Sequence, residues 1–173
     1  MAILKTEKFI LKPLKKGDEE NIVRNANNRK IWINITEVFP HPYTLKEAKK
    51  WIKECNKKEN KKTHFGIVVD EKLCGCISFS LKKGSFRKTA SVGYWLGEEY
   101  WGKGIMSEAL KLIVDYASHN FNIVRLEAGV FEWNPASARV LEKNGFVLEG
   151  RLRKNIFKDG KIIDEFLYAK VKN

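Results

Sequence analysis

The sequence has few cysteines and lacks any long apolar run. Its three cysteines, Cys55, Cys74 and Cys76, are odd in number and form no disulfide framework, so we expect a reducing compartment. No stretch approaches the roughly 20 apolar residues of a membrane-spanning helix. The start, MAILKTEKFILKP, lacks the apolar core of a signal peptide. These absences predict a cytoplasmic protein with no membrane partner.

Metal-binding patterns are also scarce. Cys74 and Cys76, in KLCGCISF, would lie on the same face of a strand, but no second C-x-x-C or H-x-x-H pair accompanies them. We therefore predict that both are small buried thiols and that the protein uses no metal.

Acidic residues are outnumbered by basic ones. The sequence has 33 lysines and arginines but 21 aspartates and glutamates, which gives a net charge of +12. This balance favours anionic partners, including nucleotides, nucleic acid and acidic proteins. The lysines are scattered rather than gathered into the block that marks a nucleic-acid-binding tail. No RNA-binding motif accompanies them, so a ribosome- or RNA-associated protein is a distant alternative and direct nucleic-acid binding is not expected.

The length of 173 residues predicts one domain over residues 1–173, with no repeat or linker. Periodicity and turn signals predict a strand, two helices, three antiparallel strands, a helix, a strand, a helix and a final hairpin. Residues 30–43, with two prolines, are expected to be irregular. This order predicts an α+β protein with one mixed sheet covered by helices on both faces. The expected strands are 9–14, 64–69, 73–81, 90–96 and 123–130, followed by a strand that begins at 146–148 and the hairpin arms 151–158 and 161–171. The expected helices are 18–28, with Asp18 as its N-cap, 45–58, one after Gly104, and one from Asn134 to Gly145.

A glycine turn, Gly102-Lys103-Gly104, lies between a predicted strand and a predicted helix. Glycines allow a sharp turn and the close approach of a ligand. The first N–H groups of the helix have no partner within the helix, and its dipole favours an anion there. Neither a P-loop nor a Rossmann motif is present, because Ile105 stands where a P-loop requires lysine and the preceding strands look antiparallel. The turn alone leaves a phosphate site and a plain turn equally open.

A second motif follows, Asn134-Pro135-Ala136-Ser137, which starts a helix that ends at EKNGF. Asn at the N-cap and Pro at the first helical position explain it without any ligand. SVGYWLGEEYWGKGIMSEAL followed by EWNPASARVLEKNGF, however, resembles the GNAT superfamily of acetyl-CoA-dependent N-acetyltransferases. The match is greatest with the RimJ/RimL-like group of ribosomal-protein N-terminal acetyltransferases. TEKFILKPLKKGD and FVLEGRLRKNIFKDGKIIDEFLYA resemble that group as well, so the likeness covers nearly the whole chain.

The resemblance implies a GNAT-like, mostly antiparallel sheet with a splayed strand pair at the cofactor site. It implies acetyl-CoA as co-substrate and no metal. The signature [QR]-x-x-G-x-[GA] falls on Glu99 to Gly104, and Glu99 departs from it, so its side chain is expected to turn away from the phosphates or pair with a lysine. Arg139 and Lys143 are expected near the 3′-phosphate. The implied cofactor-binding residues are Tyr94, Trp95, Leu96, Gly102, Lys103, Gly104, Ile105, Met106, Ser107, Asn134, Ser137 and Arg139.

The resemblance also implies direct acetyl transfer to a neutral amine, with a backbone N–H near Leu96 stabilising the oxyanion. The tyrosine that serves many relatives as acid is replaced by Leu141, and Ser137 is the implied catalytic proton donor. The glutamates that relatives use as base correspond to Ser91 and Ile156, which leaves Glu37, His41, Asp164 or a water chain.

The implied acceptor is a peptide N-terminus, a ribosomal protein or a small amine, and the protein is expected to be a monomer or homodimer. The missing tyrosine and glutamate motivate an alternative, a non-catalytic CoA-binding or regulatory module of the same fold.

Overall fold

The computed structural model describes residues 2–172, which form eight strands and five α-helices. The strands are β1 (Leu4–Lys5), β2 (Ile10–Lys12), β3 (His64–Val69), β4 (Lys72–Leu81), β5 (Thr89–Leu96), β6 (Arg125–Phe131), β7 (Val147–Lys158) and β8 (Lys161–Val171). The helices are α1 (Glu19–Ala26), α2 (Arg29–Trp32), α3 (Leu45–Cys55), α4 (Ile105–Asn120) and α5 (Pro135–Lys143).

The predicted α+β class is confirmed, because the strands form one mixed sheet in the order β1-β2-β3-β4-β5-β6-β8-β7. The β1–β2, β2–β3, β3–β4, β6–β8 and β7–β8 pairs are antiparallel, and β5 pairs with β6 in parallel. The parallel register runs over Thr89–Ser91 opposite Arg125–Glu127, within a β5 that continues to Leu96.

The chain divides into two compact units. The first contains the described residues up to Ser78 together with Tyr94–Ile105. Its core gathers residues of α1, α2, α3, β3 and β4, among them the fully buried Ile22 and Ala48. Cys55 and Cys76 belong to this core, and Cys74 is buried as well, which confirms the prediction of small buried thiols.

The second unit contains Phe79–Gly93 and the described residues from Met106 onward. The apolar face predicted for the long helix is confirmed, since Met106, Ala109, Leu110, Ile113 and Ala117 are all buried. The predicted hairpin is also confirmed: β7 and β8 are joined by Asp159 and Gly160, with φ of 52° and 74°.

Four local predictions need correction. The first strand is shorter than predicted, and a missed strand, β1, pairs with it. Asp18 precedes α1 but does not cap it with its side chain, because its carboxylate accepts a hydrogen bond from the Lys15 N–H at 2.8 Å. The segment predicted to be irregular, residues 30–43, overlaps α2, whose cap is Asn28, with Oδ1 accepting the Lys30 N–H at 2.8 Å. Helix α3 ends at Cys55 rather than at residue 58.

Candidate active site

The glycine turn has an open, left-handed backbone. Gly102 and Gly104 have φ of 74° and 76°, a region that side chains other than glycine rarely adopt. A Cβ built on either residue would meet nothing within 4 Å. Helix α4 starts at Ile105, directly after the turn. The first N–H groups of a 16-residue helix therefore follow a backbone that a ligand can approach closely.

Trp101 ties the residue before this turn to the preceding strand, a contact that its sequence context does not reveal. Its indole Nε1 donates a hydrogen bond to the Leu96 carbonyl at 2.7 Å, which ties the residue before Gly102 to the last residue of β5. The Trp95 and Leu96 side chains are buried and Tyr94 is half-buried. A ligand would therefore meet Trp95 and Leu96 through their backbone, and the Leu96 carbonyl already has one donor.

The two glutamates before the turn, Glu98 and Glu99, have different surroundings. The Glu98 carboxylate binds Lys30 and accepts a hydrogen bond from Asn28 Nδ2 at 2.8 Å. The Lys30 ammonium, followed by Asn28, holds the pKa of Glu98 below its usual value. Glu99, at the signature position, is exposed. The direction of its carboxylate relative to a bound phosphate stays a prediction.

In the second unit, the cap of α5 joins two of the predicted site residues. Asn134 Oδ1 accepts a hydrogen bond from the Ser137 backbone N–H at 3.2 Å, so the predicted N-cap is confirmed. Both side chains are half-buried, and Arg139 and Lys143 are exposed.

Asn144 links the end of α5 to the start of α4. Its Nδ2 donates to the Ser107 carbonyl at 3.0 Å, to Ser107 Oγ at 3.3 Å and to the Val140 carbonyl at 2.8 Å. From the sequence Asn144 was predicted only as a helix end. Its amide in fact fixes the position of Ser107, one of the residues expected to hold the cofactor.

A family model for the acetyltransferase (GNAT) domain matches residues 8–147 of this chain. The chain is a GNAT acetyltransferase. It is 38% identical over 161 residues to the "Probable N-acetyltransferase YjcK" of Bacillus subtilis (strain 168), which covers 89% of this chain and 88% of the relative. It is also 36% identical over 107 residues to the "Ribosomal-protein-serine acetyltransferase" of Escherichia coli (strain K12), covering 62% of this chain and 59% of that protein.

Solved structures confirm the GNAT fold. The RimL ribosomal L7/L12 α-N-protein acetyltransferase in complex with coenzyme A superposes with a TM-score of 0.86 at 21% identity, over 99% of this chain and 98% of that one. The microcin C7 self-immunity acetyltransferase MccE, in complex with acetyl-CoA and AMP, superposes with a TM-score of 0.81 at 26% identity, over 96% of this chain and 93% of that one. Both therefore align along almost their whole length with the chain described above.

Leu141 and Ser91 occupy positions where many GNAT relatives are expected to have a catalytic tyrosine and a catalytic glutamate. Leu141, in place of the tyrosine, is fully buried. Ser91, in place of the strand glutamate, lies opposite Glu127 of β6. Burial opposes ionisation of Glu127, but Lys82 and Arg125 outweigh it and lower the pKa. The carboxylate beside Ser91 is therefore committed to ion pairs and is poorly suited to accept a proton.

The candidate bases separate by their surroundings. Glu37 and His41 are exposed, and the His41 ring lies 5.6 Å from that of Trp32. Asp164 is buried, accepts the Lys154 N–H at 2.7 Å and binds the Arg151 guanidinium. The Lys154 amide, followed by Arg151, lowers the pKa of the Asp164 carboxyl. Asp164 is thus a structural anion and a weak base.

Among residues 2–172, no group of three or more His, Cys, Asp or Glu side chains could hold a metal ion. Over the same range, no helix has the length and apolar character needed to cross a membrane.

Replacing Asp164 with asparagine is expected to destabilise the protein at pH 7 and to flatten its acid sensitivity. A carboxylate with a lowered folded-state pKa contributes stability above its unfolded pKa, and this is lost as pH falls through the folded value. Urea unfolding of D164N and the parent at about pH 7 and about pH 3 measures both effects. An unchanged difference between the two pH values would contradict this account.

Replacing Asn134 with alanine is expected to lower the free energy of unfolding by about 1 kcal/mol, because the Ser137 N–H loses its acceptor. Asn134→Asp retains a capping oxygen and is expected to preserve stability. Denaturant unfolding measures the cap, and acetyl-CoA titration of N134D measures whether the amide also contacts ligand. Equal stability of N134A and the parent would contradict the capping role.

Proposed function

We propose that this GNAT acetyltransferase transfers the acetyl group of acetyl-CoA to a primary amine. The observation that carries the proposal is the pair of left-handed glycines, each with open space where a Cβ would stand, at the start of α4. An anion fits this backbone, because successive N–H groups and the helix dipole favour negative charge. The amides of Gly102 to Ser107 are proposed to bind the pyrophosphate.

The remaining cofactor contacts follow the same proposal. The backbone of Tyr94, Trp95 and Leu96 would bind the pantetheine arm, which agrees with the burial of the Trp95 and Leu96 side chains. Asn134 and Ser137 would face the pantetheine and the thiol, and the exposed Arg139 would approach the 3′-phosphate.

In the proposed reaction the amine nitrogen attacks the thioester carbonyl and the C–S bond then breaks. A backbone N–H near Leu96 would stabilise the oxyanion. The amine proton would pass to water, the Ser137 hydroxyl would protonate the departing thiolate, and the same water would return a proton to the serine oxygen. This assignment agrees with the structure in two respects: Leu141 is buried and has no ionisable proton to donate, and the Asp164 carboxylate is already paired.

The acceptor is proposed to be a protein N-terminus, with a small amine as the second choice. The support is the similarity to relatives that are named for ribosomal proteins, including the "[Ribosomal protein uS5]-alanine N-acetyltransferase" of Escherichia coli (strain K12), 33% identical over 115 residues. We also propose a cytoplasmic location and a single acetyltransferase domain over residues 1–173.

An amine panel tests the proposal. Peptides that begin with serine or alanine, polyamines and aminoglycosides are incubated with acetyl-CoA, and released CoA and acetylated product are measured. Transfer to a peptide α-amine, absent with an N-terminally blocked peptide, is the expected result. Acetyl-CoA binding without transfer to any amine would instead support a CoA-binding module.

A further inference from the structure

An open groove of about 670 Å³ lies in the first unit, and its lining includes none of the residues assigned to acetyl-CoA. It is lined by Ile3, by the segment from Lys12 to Lys16 and by α3 and its C-cap, from Lys49 to Asn56. Five of the lining side chains are lysines: Lys12, Lys15, Lys16, Lys49 and Lys53.

The positive charge of this lysine groove is only partly compensated. In the described part of the chain, the ion pair formed by the groove lysines joins Lys12 to the buried Asp18 at 3.7 Å. The Glu19 carboxylate, which accepts the Gly17 N–H at 2.6 Å, also attracts Lys49 and Lys16 and offsets part of their charge. Five lysines against these two carboxylates leave an excess of positive charge at the groove, which favours an anion.

The lining between the lysines is apolar. Pro13, Leu14 and Ile52 contribute to it, and Ile3 stands at 56% exposure beside them. No lining residue is aromatic or arginine. A nucleic acid would therefore find neither a stacking surface for bases nor a bidentate clamp for phosphate. Carboxylates together with an apolar side chain match both parts of the lining.

We propose that the lysine groove docks an acidic peptide segment that carries an apolar side chain. Its aspartates and glutamates pair with the lysines, and its apolar side chain covers Pro13, Leu14 and Ile52. Since each ion pair is exposed to solvent, affinity is expected to fall as salt rises. The inference stands apart from acetyl transfer, because it concerns binding of a segment with no reacting amine.

The test uses fluorescence anisotropy with an N-acetylated, fluorescein-labelled octapeptide of Asp and Glu around one central leucine. The blocked terminus prevents acetylation, so catalysis cannot affect the signal. The groove variant combines Lys15→Glu, Lys16→Glu, Lys49→Glu and Lys53→Glu. The matched control combines Lys46→Glu, Lys58→Glu, Lys61→Glu and Lys62→Glu, four exposed lysines of the same unit. Losing several surface ion pairs is expected to weaken binding by about tenfold or more in the groove variant, and the control is expected to bind about as the parent does.

Two further measurements keep the proposal falsifiable if the groove variant unfolds at a lower temperature than the parent. Ile3→Ser alters an exposed apolar side chain and is expected to weaken the peptide severalfold, as is replacing the peptide's leucine with serine. Equal losses in the groove variant and the control would show a net-charge effect and overturn the proposal. Absence of peptide binding would overturn it too, as would indifference to the leucine. If a single-stranded RNA binds the same lysines more tightly than the peptide does, the groove is a nucleic-acid site and the acidic-peptide proposal is overturned.

Discussion

Replacing Gly104 with valine is expected to weaken acetyl-CoA binding by about 30- to 100-fold, which corresponds to the loss of roughly one charge-assisted hydrogen bond. Gly104 has φ of 76°, and a branched side chain strains that conformation. The new carbons would also fill space that is open for a ligand in the present structure. Isothermal titration with acetyl-CoA measures the affinity directly, without any acceptor amine.

Gly84→Val is the matched control. Gly84 has φ of 61°, and a Cβ on it would also meet nothing within 4 Å, so its replacement imposes similar strain at an exposed turn between β4 and β5. Both variants are expected to lose comparable folding stability, whereas G84V alone retains acetyl-CoA affinity. Parental acetyl-CoA affinity in G104V would show that the turn is only a route into the helix. That result would remove the observation on which the proposed function depends.

Local signals predicted the parts of the fold that short stretches of chain determine. Asn134 caps α5 because its side chain reaches the N–H three residues on, and Asp159-Gly160 forms the hairpin turn because both adopt positive φ. The apolar face of α4 followed directly from its spacing. These features depend on neighbours within a few positions, so the residues alone are informative.

Features that depend on the course of the folded backbone were not predictable in the same way. Asp18 looked like an N-cap, but its carboxylate accepts the N–H of Lys15, which precedes it by three residues, instead of an N–H of the helix. The contact of Trp101 with Leu96 and the contact of Asn144 with Ser107 required the folded backbone. The lysines of the groove also appeared scattered along the chain, and only the approach of α3 to the segment after β2 brings them together.

Replacing Ser137 with alanine is expected to lower kcat by about 100-fold with little change in KM for acetyl-CoA, since a positioned proton donor typically contributes 10²- to 10⁴-fold. The reason is the leaving group: without the hydroxyl, the thiolate must depart unprotonated or wait for water. Folding should be preserved, because Asn134 is bonded to the Ser137 backbone N–H, which alanine keeps. Initial rates of CoA release at saturating amine, together with the acetyl-CoA affinity, separate the effect on kcat from any effect on binding.

Ser118→Ala, in the half-buried part of α4, controls for loss of a helical serine hydroxyl and is expected to retain the parental rate. Ser137→Thr keeps a hydroxyl and is expected to recover part of the rate, which a purely packing role would not predict. A second readout is the leaving group itself. If Ser137 protonates the thiolate, S137A should gain relative to the parent with an acetyl donor whose thiol has a lower pKa, because that thiolate departs without help. A kcat of S137A within twofold of the parent, or an equal loss with both donors, would show that Ser137 is not the proton donor. Water would then protonate the thiolate, and Ser137 would serve only in the capping turn.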